Sequence, residues 1–205
     1  MHRKRIVSMF AFAACGVLLT GGGVAAAINA PPVRAGAGLP AVSAATRTPT
    51  RGGTVFFTLY QNDDLPGATV VLSGAIGDFG AAITVLPTGK VDPEHSSQLK
   101  LALSQGSFRI VIGALHAKLL DALNHATYNL KTCSGHVAVT GAAPVVAGSG
   151  TGAYKGISGS FRLTLTGNEV DAKPGCQPFS GSALLAQTIF IAGSGAVSFG
   201  VPARV

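Results

Sequence analysis

Tryptophan is absent from this 205-residue chain, cysteine occurs 3 times, and Asp and Glu together number only 8. The missing tryptophan, with the cysteines of the domain late at Cys133 and Cys176, departs from the immunoglobulin pattern of a buried Trp packed on an inter-sheet disulfide. Acidic scarcity gives the chain a formal charge of +7, but the excess is local. Arg3, Lys4, Arg5, Arg34, Arg47 and Arg51 all precede Gly52, and from Gly52 onward 9 basic residues face all 8 acidic ones. A nucleic-acid-binding domain concentrates positive charge on its folded surface. This one is close to neutral, so no nucleic-acid partner is expected.

The first 51 residues do not read as domain. A basic start at Arg3-Lys4-Arg5 leads into an apolar run over 6–27 that ends in small residues, Ala25-Ala26-Ala27. That is the build of a secretory signal peptide over 1–27. Retention of the run as an anchor and lipid attachment at Cys15 are the alternatives. Residues 28–51 are rich in Ala, Gly, Pro and Thr without apolar period, a flexible spacer. A secreted domain over 52–205 is expected, with no membrane association after cleavage.

Cysteine usage fits export. With Cys15 in the leader, Cys133 and Cys176 remain, and in an oxidising compartment two cysteines most simply form one disulfide. Closing that loop is worth about 4 kcal/mol in the chain-entropy treatment. The alternative is zinc, because Cys133-Ser134-Gly135-His136 has ligand spacing and Cys176 could add a third ligand.

Residues 54–60 are β-branched and aromatic and form a first strand. It ends in Gln61-Asn62-Asp63-Asp64-Leu65-Pro66-Gly67, a set of turn formers. The adjacent aspartates suit a solvated turn, with Asp63 retained as a ligand-binding candidate. A second strand covers 69–73, and Gly77 and Gly80 bracket Asp78-Phe79 as a bulge or bend in a continuing strand. Residues 98–104 alternate strictly and pair with 107–112 as a hairpin. Between 113 and 126 the period changes: Leu115, Leu119 and Leu123 recur at helical spacing, predicting the domain's one helix. Strands return at 136–140, 144–146 and 159–166. A polar loop over 167–180 follows, then an apolar strand over 183–192, a turn at Gly193-Ser194-Gly195, and a last strand at 196–199. Many short strands with glycine punctuation indicate a sandwich or barrel.

The densest punctuation is the run Gly148-Ser149-Gly150-Thr151-Gly152-Ala153-Tyr154-Lys155-Gly156-Ile157-Ser158-Gly159. A dinucleotide fingerprint would lead into a helix. These glycines lead instead into the alternation of Phe161, Leu163 and Leu165, so the run reads as a sharp turn launching a strand. It resembles the glycine-rich block of the allene oxide cyclase and dirigent barrel superfamily. Ile76-Gly77-Asp78-Phe79-Gly80 is similar to an element of the cyclases. The fit is closest to secreted bacterial, actinobacterial-type members, in which the glycine block, its flanking cysteines and a signal peptide recur. The resemblance spans about 53–199 and implies an all-β, eight-stranded antiparallel barrel, here with one short helix, whose lumen binds apolar small molecules. The plant cyclases carry a catalytic glutamate two residues before an asparagine on the first strand. Here Asn62 keeps the asparagine and Tyr60 stands at the glutamate position, so the resemblance implies the fold rather than the plant reaction.

The leading functional expectation is a noncatalytic barrel binding a small apolar ligand in or at its lumen. Were it an enzyme, a cofactor-independent isomerase or cyclase would be expected. Asp78 would act as acid or base, Asn62 and Tyr60 would orient the substrate, and Tyr154 would donate a hydrogen bond to the ligand. A structural cell-surface role is the third alternative. The sequence carries no metal, nucleotide or flavin signature, so no cofactor is expected. Exposed apolar strands make self-association a further expectation.

Overall fold

The computed structural model describes residues 52–62, 68–92, 95–173, 176 and 184–200. The leader and spacer, Asp63 and the side chain of Asn62 lie outside the described residues.

The β-branched and aromatic run after Gly52 forms β1 (Gly53–Asn62), whose residues alternate between buried Val55, Phe57 and Leu59 and outward Thr54, Phe56, Thr58 and Tyr60. Antiparallel to β1 lies β2 (Ala68–Gly74), followed in order by β3 (Asp78–Val85), β4 (Gln98–Leu103) and β5 (Gly106–Val111). A helix, α1 (Gly113–His125), then carries the chain to the short β6 (Tyr128–Asn129), β7 (Ser134–Pro144), β8 (Ile157–Asp171) and β9 (Leu184–Phe199). β9 returns to pair with β1, so one antiparallel sheet runs β5-β4-β3-β2-β1-β9-β8-β7-β6. The architecture is two meanders joined edge to edge by the first and last strands.

The sheet curls until β5 meets the chain that follows β7. Ile110 bridges Val145, and the amides of Val146 and Thr151 donate to the carbonyls of Arg109 and Ser107, each at 2.8 Å. The result is barrel-like, mostly β, with nine strands in an incompletely closed sheet rather than the eight-stranded closed barrel expected. The extra strand is β6, only 2 residues long.

The helix lies against β7, where Gly141 leaves room for the Leu115 side chain. Leu115, Leu119 and Leu123 are its buried residues, one stripe at i, i+4 and i+8. Its start is poorly capped, because Ile112 offers no side-chain acceptor and no acidic residue occupies the first turn. Burial holds it instead, at about 2 kcal/mol for each leucine.

Three expectations need correction. Residues 74–80 are not a bulge in a continuing strand. Gly74 (φ 81°) and Gly77 (φ 65°) reverse the chain, and β2 pairs with β3 as a tight hairpin. Gly193-Ser194-Gly195 is not a turn, since β9 runs straight through it. On the inner face Gly193 pairs with Phe57 and Leu163, and Gly195 with Val55 and Phe161. A Cβ at Gly193 would stand 2.0 Å from the Arg162 carbonyl oxygen and one at Gly195 2.2 Å from that of Ser160, while in the same rows the Phe57 and Phe161 rings meet edge-on with centroids 5.8 Å apart. Finally, the loop expected at 167–180 begins later, because β8 continues to Asp171.

Candidate functional site

The two ends of the sheet present different chemistry. At the base, where β2 turns into β3 and β4 into β5, Asp78 opens β3 and is buried. Its Oδ1 accepts from the amides of Phe79 at 2.7 Å and Ser104 at 3.3 Å and from the Ser104 hydroxyl; its Oδ2 accepts from the Gln105 amide at 3.1 Å and the Tyr154 hydroxyl. Burial pushes the Asp78 carboxyl up, yet the bonds from Ser104, Tyr154, Phe79 and Gln105 together outweigh it and hold the group below its ordinary value. Burial, and then the Asp78 carboxylate itself, push the Tyr154 phenol far up.

Tyr154 reaches this position through the glycine block. It ends a single 3-10 turn, Gly152–Tyr154, and its ring packs on Phe108 at a centroid distance of 5.3 Å. A Cβ at Gly150 would stand 1.9 Å from the Tyr154 carbonyl oxygen, so only glycine allows that crossing. Asp78 thus ties together three segments: the start of β3, the β4–β5 turn and the glycine block. A general base needs a lone pair open to substrate and a pKa near the working pH. This carboxylate is ionised and surrounded by donors, and Tyr154, fully buried, gives its one proton to it. The arrangement is that of a structural lock.

The structure brings Asp78 and Tyr154 together, with Tyr60 apart from them. Tyr60 lies on the outer face of β1, paired with Thr69 and Phe190, whereas Asp78 is on the inner side, opposite Leu72. The backbone of Asn62 ends β1 beside Thr188. Asp63 is not described. Cys133 and Cys176 are joined as a disulfide with Cα atoms 5.1 Å apart, which leaves neither thiolate for the zinc alternative.

The opposite end holds a site that the sequence reading passed over. A groove of about 630 Å³ opens between β6, β7 and β8, lined by Thr127, Asn129, Ser134, His136, Asn168 and Glu169, with Gly135 and Val170. Glu169 and Asp171 occupy inward positions of β8 and are buried. Glu169 Oε2 accepts from Gln187 Nε2 at 3.1 Å. Asn168 Nδ2 donates to Thr188 Oγ1 at 3.3 Å, which directs its Oδ1 to His136 Nδ1 at 2.8 Å. With Asn168 Oδ1 as the acceptor, Nδ1 of His136 is the donor in that contact.

No family model, curated protein or solved structure matches the chain. The likeness to the cyclase and dirigent barrels therefore rests on the motifs quoted above, and the groove has to be interpreted from its own chemistry.

Beneath the groove, Tyr128 Oη and the Asp171 amide both donate to the Cys133 carbonyl, each at 2.8 Å. Cys133 has a positive φ of 52°, unusual for a non-glycine residue. Burial first, and then the Asp171 and Glu169 carboxylates, push the Tyr128 phenol far above its ordinary value. The disulfide thus secures the corner on which the groove is built. The signal for these residues was available: the alternation Phe161, Leu163, Leu165 continues through Gly167 to Glu169 and Asp171. It was obscured because the inward residues become acidic while the outward Val170 is apolar.

Proposed function

We propose that the chain is a secreted small-molecule-binding protein that takes its ligand in the groove between β6, β7 and β8. The observation that carries this reading is the groove itself, an open depression of about 630 Å³ with polar side chains along it. Its outward polar groups, Asn129, His136 and Asn168, come from three separate strands, whereas Glu169 lies inward beneath them. Inside the sheet, by contrast, Phe57, Phe108, Phe161, Leu59, Leu101 and Leu163 form one buried cluster with Leu115 and Leu119 of the helix. That packing suits a core better than a ligand lumen.

We assign it a hydroxylated ligand on the strength of the side chains along its rim. Carboxamide, hydroxyl and imidazole groups of Asn129, Asn168, Ser134 and His136 offer both donors and acceptors. Isothermal titration of the purified chain with monosaccharides, disaccharides, polyols, polyamines and palmitate tests the assignment. A sugar, polyol or polyamine should bind, and Asn168→Ala or His136→Ala should weaken it by about tenfold, the loss of one well-placed hydrogen bond. Binding of palmitate alone, unaffected by either substitution, would contradict it.

A further inference from the structure

Among the described residues, the outward face of the central strands carries no charge. Phe190 on β9 pairs with Tyr60 on β1; Ala192, Thr58, Val71 and Phe79 form the next row across β9, β1, β2 and β3; Ser194, Phe56 and Ser73 form the third. Large apolar side chains stand out from it: Phe79 is 65% exposed, Phe56 56%, Val71 47%, Tyr60 43% and Phe190 40%.

We infer that this face is the interface of a homodimer, formed with a second copy of the chain about a two-fold axis. Area supports the assignment. Taking about 200 Å² for a fully exposed aromatic side chain, these five residues leave roughly 500 Å² in water. That equals the largest patch of a typical monomer, often a functional one. With the interleaved Thr58, Thr69, Ser73, Ala81 and Ser194, all exposed, the face approaches the ~800 Å² each partner brings to a standard interface. Charge supports it too. A two-fold interface sets the same patch against itself, so any net charge on it would repel its copy. Here the basic groups stay at the margins, Arg162 opposite Ser194 on β8 and Lys100 opposite Ile83 on β4. A membrane-binding face would instead carry a dense basic border. The aromatics suit the centre of an interface, where a few such residues dominate binding.

Sedimentation equilibrium of the full chain over a range of concentrations, beside the double variant Phe56→Asp with Phe79→Asp, tests the inference. A dimer should form, and the variant should raise its dissociation constant at least 100-fold while its far-UV circular dichroism and melting remain those of a folded chain. If the variant unfolds, Val71→Lys, an outward change in the same row, takes its place with the same expected result. A wild-type chain that stays monomeric, association that survives the substitutions, or sedimentation of the monomer with neutral phosphatidylcholine vesicles through the same residues would each overturn the inference. The result is independent of the groove, because none of its lining residues lies in this face.

Discussion

At the residue scale the molecule turns on Asp78. A buried carboxylate is costly unless hydrogen bonds replace its water. Here donors from four residues do so, and three of the four are far away in sequence. Removing the carboxylate leaves Tyr154, Ser104 and the Gln105 amide facing nothing, so Asp78→Ala should cost about 3 kcal/mol. In a domain of this size that is roughly 6–12 °C of melting temperature. Tyr154→Phe should cost less, and a double-mutant cycle should show coupling of at least about 1 kcal/mol.

The pH dependence has a definite sign. The folded Asp78 carboxyl lies below the ordinary value of 3.8, so its stabilisation is complete above that range and is lost as pH falls through it to the lower folded value. Tyr154 and Tyr128 are shifted the other way. Their contribution is whole below pH 10 and is lost as pH rises beyond it. Urea unfolding across pH should therefore show both flanks. Asp78→Asn should flatten the acid flank, and Tyr154→Phe with Tyr128→Phe the alkaline one.

At the element scale, local pattern and tertiary context divide the structure between them. The strand after Gly52, the β4–β5 hairpin and the helix were all legible, because one face of each is apolar at the period of its own backbone. The glycines of β9 were not. Punctuation in the sequence suggested a turn at Gly193-Ser194-Gly195, but the cause is the close approach of the β8 backbone, joined at Gly195 by the Phe161 ring. A Cβ at Gly195 would lie 2.2 Å from the Ser160 carbonyl oxygen and 2.9 Å from the Phe161 ring. Gly195→Val should accordingly destabilise the domain by about 3 kcal/mol or more despite its better strand propensity. A stabilised variant, followed by thermal melting, would restore the turn reading. The inward acids of β8 were hidden for a related reason: hydrophobicity marks the core face of a strand only as far as that face remains core.

At the whole-molecule scale, the sheet separates a locked base from a groove at the other end. The Cys133–Cys176 disulfide, spanning 43 residues, belongs to the groove end. Reduction should remove up to about 4 kcal/mol of stability. Hydrogen exchange should then accelerate first at the Asp171 amide, bonded to the Cys133 carbonyl, and last around Asp78. The overall β character and the helix over Gly113–His125 could be read from the sequence. Curling of the sheet could not, because it depends on β5 meeting the chain after β7, a contact between distant segments without a shared period. Of the site, Asp78 and Tyr154 were visible as residues but not as partners. The groove was visible as neither.

The central claim is that ligand enters this groove and leaves the sheet interior filled. Chemical-shift mapping on isotopically labelled chain, titrated with the sugar and polyol panel and with palmitate, tests it most directly. The account requires saturable shifts at Asn129, His136, Asn168 and Glu169, with the methyl signals of Leu59, Leu101 and Leu163 unmoved. Shifts concentrated on those interior methyls, with the groove residues silent, would contradict it.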